Sequence, residues 1–208
     1  MSCDGITDKI KSYISGLSEK RLRHTLGVER AALMLAGRHY PLLNPTLVSA
    51  AALLHDCTKE LSAQEQAETA LKYGVVFDET ERETPKLWHA VTAAVIAKEE
   101  FGLPAEAASA IRCHTTGKAD MSDLDKVVYL ADFIEANRAD ALCRAVRDRY
   151  TALFEKSPET AVDKTLIYAL ENVIEVLDKE CKHIHPHTIE ARNFLKGIFA
   201  DENFYKRS

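Results

Sequence analysis

Almost every segment of the chain spaces its apolar residues with the period of an α-helix, which leaves it little to fold into but a helical bundle. Residues 4–14 make a short amphipathic start, and residues 19–40 repeat Leu22, Leu26, Leu33 and Leu35 before Pro41 ends the run. Residues 45–55 open with proline at the first helical position, behind Asn44 as N-cap. Residues 62–73 begin with Ser62 and Glu65 at capping-box spacing and stop at Gly74. Further helices are expected over 88–101 (closed by Gly102), 104–114 (closed by Thr115-Thr116-Gly117), 122–138, 157–179 and 188–199 after Pro186. The best strand candidate, Tyr73-Gly74-Val75-Val76-Phe77, is short and has no second run to pair with. The expected fold class is all-α. No repeat or linker divides the chain, so a single domain over 1–208 is expected.

Composition narrows the function classes. An apolar fraction of 46% over 208 residues is enough for a buried core and argues against disorder. A net charge of only −5 gives no field for a nucleic-acid backbone or an anionic membrane, so no nucleic acid and no membrane is expected as partner. Any anionic ligand must be held by a local site. The cysteines, Cys3, Cys57, Cys113, Cys143 and Cys181, are odd in number and never at C-x-x-C spacing, which suggests neither a disulfide framework nor a thiolate zinc module. The first residues, MSCDGITDKIKSYI, lack the order of a secretory leader, and no apolar run approaches the ~20 residues that span a bilayer. The cytosol is the expected compartment, and a homodimer is left open.

Six polar side chains interrupt the apolar faces. His24 shares a helical stripe with Val28, Ala31 and Leu35, while Leu47, Ala51 and Leu54 lead into His55-Asp56. His89 precedes Ala93 and Ile96, Ala107 and Ala110 precede His114, and Leu124 and Val128 precede Asp132. Any one of these alone reads best as a hydrogen-bonded core residue. Six on five helices read as ligands, because burying such groups without partners costs several kcal/mol each. Imidazole and carboxylate suit divalent Fe, Mn, Co, Zn or Mg. Neighbouring helical side chains diverge by about 100°, so His55 can hold one ion while Asp56 reaches across or bridges to a second. Six ligands leave coordination positions open for water and substrate, as hydrolysis requires.

The order His24, His55-Asp56, His89, His114, Asp132 resembles the HD-domain metal-dependent phosphohydrolases. The blocks RLRHTLGVERAA (21–32), AALLHDCTKEL (51–61), AIRCHTTGKADMSDLDKVVYLADFIEANR (110–138) and IHPHTIEARNFL (184–195) are similar to those of its YqeK branch. Members of that branch hydrolyse symmetrical diadenosine tetraphosphate to two ADP with iron at the site. The resemblance implies an HD-domain helical bundle in which residues 140–208 complete a nucleotide pocket. It implies His24, His55, Asp56 and Asp132 as ligands of a primary ion. His89 and His114 are then ligands of a second ion, or contacts to substrate phosphates if one ion is bound. It also implicates Arg21, Arg138 and the segment 188–193, with Thr188, Arg192 and Asn193, in nucleotide binding. The block reads HPHT where HPDT is the family pattern, so no role is carried to His187.

The physics of the cations agrees with these roles. Arg21 lies three residues before His24 and faces the same site, where a guanidinium can clamp phosphate oxygens. Lys59, four after His55, can neutralise developing charge provided the helix continues that far, and Thr115 is a candidate phosphate contact. Asp56 or Asp132 would orient the attacking water. Rival readings are hydrolysis of nucleoside monophosphates or cyclic dinucleotides, a di-iron oxygenase, and a regulatory domain with a vestigial site. The cluster Cys181, His183, His185, His187 reads as an exposed linker with adventitious metal contacts rather than a second functional site.

Overall fold

The computed structural model describes residues 3–205, with side chains for 5–200; among these are eleven α-helices, one short 3-10 turn and no strand. The helices are α1 (Cys3–Ile14), α2 (Glu19–His39), α3 (Pro45–Leu54), α4 (Ala63–Lys72), α5 (Glu79–Glu83), α6 (Trp88–Glu99), α7 (Ala105–Cys113), α8 (Asp123–Ile134), α9 (Ala141–Lys156), α10 (Pro158–Lys179) and α11 (Pro186–Tyr205). The expected caps form: Asn44 accepts from the Thr46 N–H at 2.9 Å, and Ser62 with Glu65 closes a reciprocal capping box; Ser122 with Asp125 adds a further one at the start of α8.

The most apolar helix, α3, lies at the centre, packed against α1, α2, α7 and α8. Its Val48 and Ala50–Leu54 are shut off from solvent, and small residues on its neighbours (Ala32, Ala107, Ala110, Ala131) allow close approach. Buried Leu166, Ala169 and Leu170 of α10 carry the core outward to α8, α9 and α11. No helix among the described residues is long and apolar enough to cross a membrane.

Three differences from the sequence reading have local causes. Residues 139–156, left unassigned, contain α9, capped by Asp140 accepting from Cys143 N–H at 2.9 Å and anchored by buried Cys143, Val146 and Tyr150. Helix α8 stops at Ile134 rather than at 138, because Glu135 adopts extended ψ (143°) and begins a turn. Helix α11 starts at Pro186, two residues early, with proline in the first turn as its missing N–H allows. As expected, residues 73–77 form no strand; they cap α4, with Gly74 at φ +66° and Val75 N–H returning to Ala70 O at 2.8 Å.

Candidate metal centre

The site forms where α2, α6 and α8 meet the C-terminal ends of α3 and α7. Residues 55–56 do not continue an α-helix. His55 caps α3, and from there the chain tightens into i→i+3 turns, Cys57 to Leu54 (3.1 Å), Lys59 to Asp56 (3.0 Å) and Leu61 to Thr58 (3.1 Å). The splaying expected of helical neighbours is therefore absent: His55 Nε2 and Asp56 Oδ2 converge to 3.5 Å. The same turns bring Lys59 to the site without a helix, its Nζ 4.0 Å from Asp56 Oδ1 and 3.0 Å from His89 Nε2.

Each of the four histidines is tethered through Nδ1. His55 bonds Ala52 O (2.6 Å), His89 bonds Lys86 O (2.7 Å), His114 bonds Ile111 O (2.7 Å) and His24 faces Glu135 Oε1 (3.2 Å). Every acceptor is an oxygen without a hydrogen, so Nδ1 carries the proton and Nε2 presents a lone pair inward. Asp56 divides the four. Its Oδ1 lies 3.2 Å from His89 Nε2 and 3.5 Å from His114 Nε2, its Oδ2 3.5 Å from His55 Nε2 and 3.6 Å from His24 Nε2. Asp132 Oδ1 joins the second side, 3.1 Å from His24 Nε2 and 3.9 Å from His55 Nε2.

This donor set fits divalent ions. His89 Nε2 and His114 Nε2 face each other at 3.2 Å, an approach of two lone pairs that a cation relieves. His24 Nε2, His55 Nε2 and Asp56 Oδ1 are buried without hydrogen-bond partners. Spacings of 3.1–3.9 Å suit neighbouring vertices about an ion with bonds of about 2.0–2.2 Å. Two ligand groups result, His24-His55-Asp56 and Asp56-His89-His114, sharing one carboxylate. Burial pushes both His55 and His89 down to about 4, which keeps them neutral as ligands must be. His24 moves the other way, because Asp132 and Asp56 outweigh its burial. Despite burial, neighbouring imidazoles hold Asp56 and Asp132 well below the usual carboxylate range, with Arg138 adding to the effect at Asp132.

A cleft of about 800 Å³ opens over the centre, and Arg21, His24, Asp56, Lys59, His114, Thr115, Asp132 and Arg138 all line it. Arg21 ion-pairs with Asp56 Oδ2 and Arg138 with Asp132 Oδ1 at 2.9 Å. His55 and His89 lie beneath, fully buried. Thr188, Arg192 and Asn193 are not among the lining residues: Thr188 is buried in the first turn of α11, and Arg192 donates to Asn193 Oδ1 at 3.0 Å. The His183–His187 segment lies against α5, where His185 meets Asp78 Oδ2 at 3.0 Å and Glu81 pairs with Arg112. The sequence reading missed Glu135 and Asn137. Both lie in the quoted block YLADFIEANR, from which only Asp132 and Arg138 were drawn; an acid at a helix end was the available signal.

Comparisons with known proteins place relatives beside this fold. The HD domain family matches residues 21–137. The symmetrical bis(5'-nucleosyl)-tetraphosphatase of Bacillus subtilis (strain 168) is 32% identical over 86% of the chain and 91% of its own length. The like-named protein of Halalkalibacterium halodurans is also 32% identical, over 86% and 90%. A crystal structure of an HD superfamily hydrolase from Clostridium acetobutylicum, described as involved in NAD metabolism, superposes with a TM-score of 0.79 at 30% identity, covering 95% of this chain and 98% of that one.

Proposed function

This chain belongs to the HD domain family, and from that premise we propose that it hydrolyses symmetrical dinucleoside tetraphosphates, diadenosine tetraphosphate to two ADP. The observation that carries the reading is the shared carboxylate of Asp56 between two groups of buried imidazoles, set under a cleft rimmed by Arg21, Lys59 and Arg138. His24, His55, Asp56 and Asp132 would hold one divalent ion, and Asp56 with His89 and His114 a second. Such ions would supply Lewis-acid activation of water and offset charge on phosphate oxygens. Iron is the metal we expect, with Mn, Co, Zn or Mg as substitutes compatible with the nitrogen and oxygen donors. With one ion alone, His89 and His114 would meet phosphate directly.

The chain's own groups supply the rest. Water attacks one of the two central phosphorus atoms, the bridging P–O bond breaks, and one ADP leaves. Asp56 and Asp132, ionised and facing the cleft, orient that water. Arg21 and Arg138 present paired N–H groups to phosphate oxygens, and Lys59 and Thr115 add single contacts. ADP is a weak base, so its departure needs no strong acid. The contact of Gly117 with Ala191 of α11, behind the turn carrying Thr115, supports a role for the C-terminal helices in holding that turn. On this reading Arg192 and Asn193 serve the part of the substrate that extends beyond the cleft, while buried Thr188 holds the first turn of α11. We place the enzyme in the cytoplasm, consistent with free Cys57, Cys113, Cys143 and Cys181.

The test is anaerobic purification, metal analysis and product identification with diadenosine tetraphosphate. Two ADP and about two ions per chain are expected, with His55→Ala and Asp56→Ala losing both metal and turnover. AMP plus ATP as products, or faster cleavage of monophosphates or cyclic dinucleotides across a nucleotide panel, overturns the assignment.

A further inference from the structure

His24 differs from the other three histidines in how its Nδ1 is held. His55, His89 and His114 sit at helix ends or starts and bond the carbonyl three residues back, where main-chain oxygens are free of helical partners. His24 lies inside the 21-residue α2, whose carbonyls are engaged. Its partner is instead the carboxylate of Glu135, 111 residues away and 1% exposed. Glu135 is itself fixed: Oε2 accepts from the Asn137 main-chain N–H (2.7 Å) and side-chain Nδ2 (2.9 Å), and that amide also donates to Arg23 O (3.3 Å) on α2. Room for it depends on Gly27, since a Cβ there would collide with Glu135 Oε2 and lie 2.9 Å from Asn137 Nδ2.

We propose that Glu135 is a positioning residue that fixes His24 as the Nδ1–H tautomer and so presents Nε2 as a metal ligand, with Gly27 and Asn137 as parts of the same device. With Oε2 already accepting from two N–H groups of Asn137, Oε1 is left as an acceptor too, so the nitrogen it faces must carry the hydrogen. The inference rests on the reading of His24 as a ligand but not on the substrate.

Glu135→Gln is the informative variant. The carboxylate receives three donors, and an amide has one oxygen. With that oxygen kept on Asn137, its NH₂ points at His24 Nδ1, which must then accept, moving the proton to Nε2. In the full-length chain, Mn²⁺ affinity measured by chelator competition should weaken about 10–100-fold, with a melting temperature near that of the native protein. The same change in a His24→Ala background should cost little more. In ¹⁵N spectra of metal-free protein at alkaline pH, the His24 proton should sit on Nδ1 natively and on Nε2 in the variant. Unchanged affinity or an unchanged tautomer in Glu135→Gln, or an equal loss of affinity in the His24→Ala background, overturns the proposal. Should Glu135→Gln fail to fold, Asn137→Ala removes one of the carboxylate's two ties. It should weaken Mn²⁺ binding in the native background and not in His24→Ala; no loss in the native background counts against the device. A native chain that holds ions yet leaves diadenosine tetraphosphate intact would end the functional reading and leave this one standing.

Discussion

At the scale of single residues, Gly27 separates two physical arguments that predict opposite signs. In a helix interior glycine is worse than alanine by roughly 0.5–1 kcal/mol, so Gly27→Ala in α2 should stabilise on propensity alone. The buried Glu135 carboxylate occupies the space a Cβ needs, and displacing it strains a packed site at about 1–3 kcal/mol. Net destabilisation in urea unfolding is the expected result; a more stable Gly27→Ala would mean the carboxylate moves freely. The clustering of the six candidate ligands was legible because each breaks an apolar stripe, a signal local to its own helix. Glu135 was legible only as an acid at a helix end, not as a partner of His24. Its partner is 111 residues away, and nothing in the spacing of a helix end reports a contact across the fold.

At the scale of elements, the turn after α7 ties the metal centre to the C-terminal helices. Gly117 takes φ +67°, and a Cβ there would come within 2.9 Å of Ala191 on α11. Left-handed backbone costs a non-glycine residue roughly 1–2 kcal/mol, and the contact adds to that. Gly117→Ala should therefore lower the melting temperature by several degrees and raise KM for the nucleotide while metal content stays near native. Loss of metal at unchanged KM would place the role of this turn elsewhere. Two of the sequence blocks that carried the resemblance, HTTGK and HTIEARNFL, thus touch each other, a relation that sequence order hides. The capped helices were legible in outline, since Asn44 and Ser62 mark their starts chemically. The end of α8 was not, because residues 135–138 remain compatible with a helix until Glu135 is drawn toward His24.

At the scale of the whole molecule, the centre sets how stability responds to acid. His55 and His89 titrate near about 4 in the fold against about 6.5 in an unfolded chain. Between those values the unfolded state binds more protons, so stability rises with pH across the window and is lost as pH falls from about 6.5 to about 4. His24 has the opposite sign: its raised value adds stability at low pH that disappears as pH rises through it. Two groups against one leave a net loss on acidification. Asp56 and Asp132 reinforce it below about 4, where the unfolded chain's carboxylates take up protons while these two are still held ionised by their partners in the fold. The melting temperature of the chelator-treated chain should be flat above about pH 7, decline toward about pH 4 and fall steeply beyond. Added Mn²⁺ should raise it at neutral pH, by binding the folded state alone, and lose that effect in acid as protons compete for the imidazoles. A metal-free chain that grows more stable from pH 7 to pH 5 would show that His24, and not the buried pair, dominates the charge balance of the core.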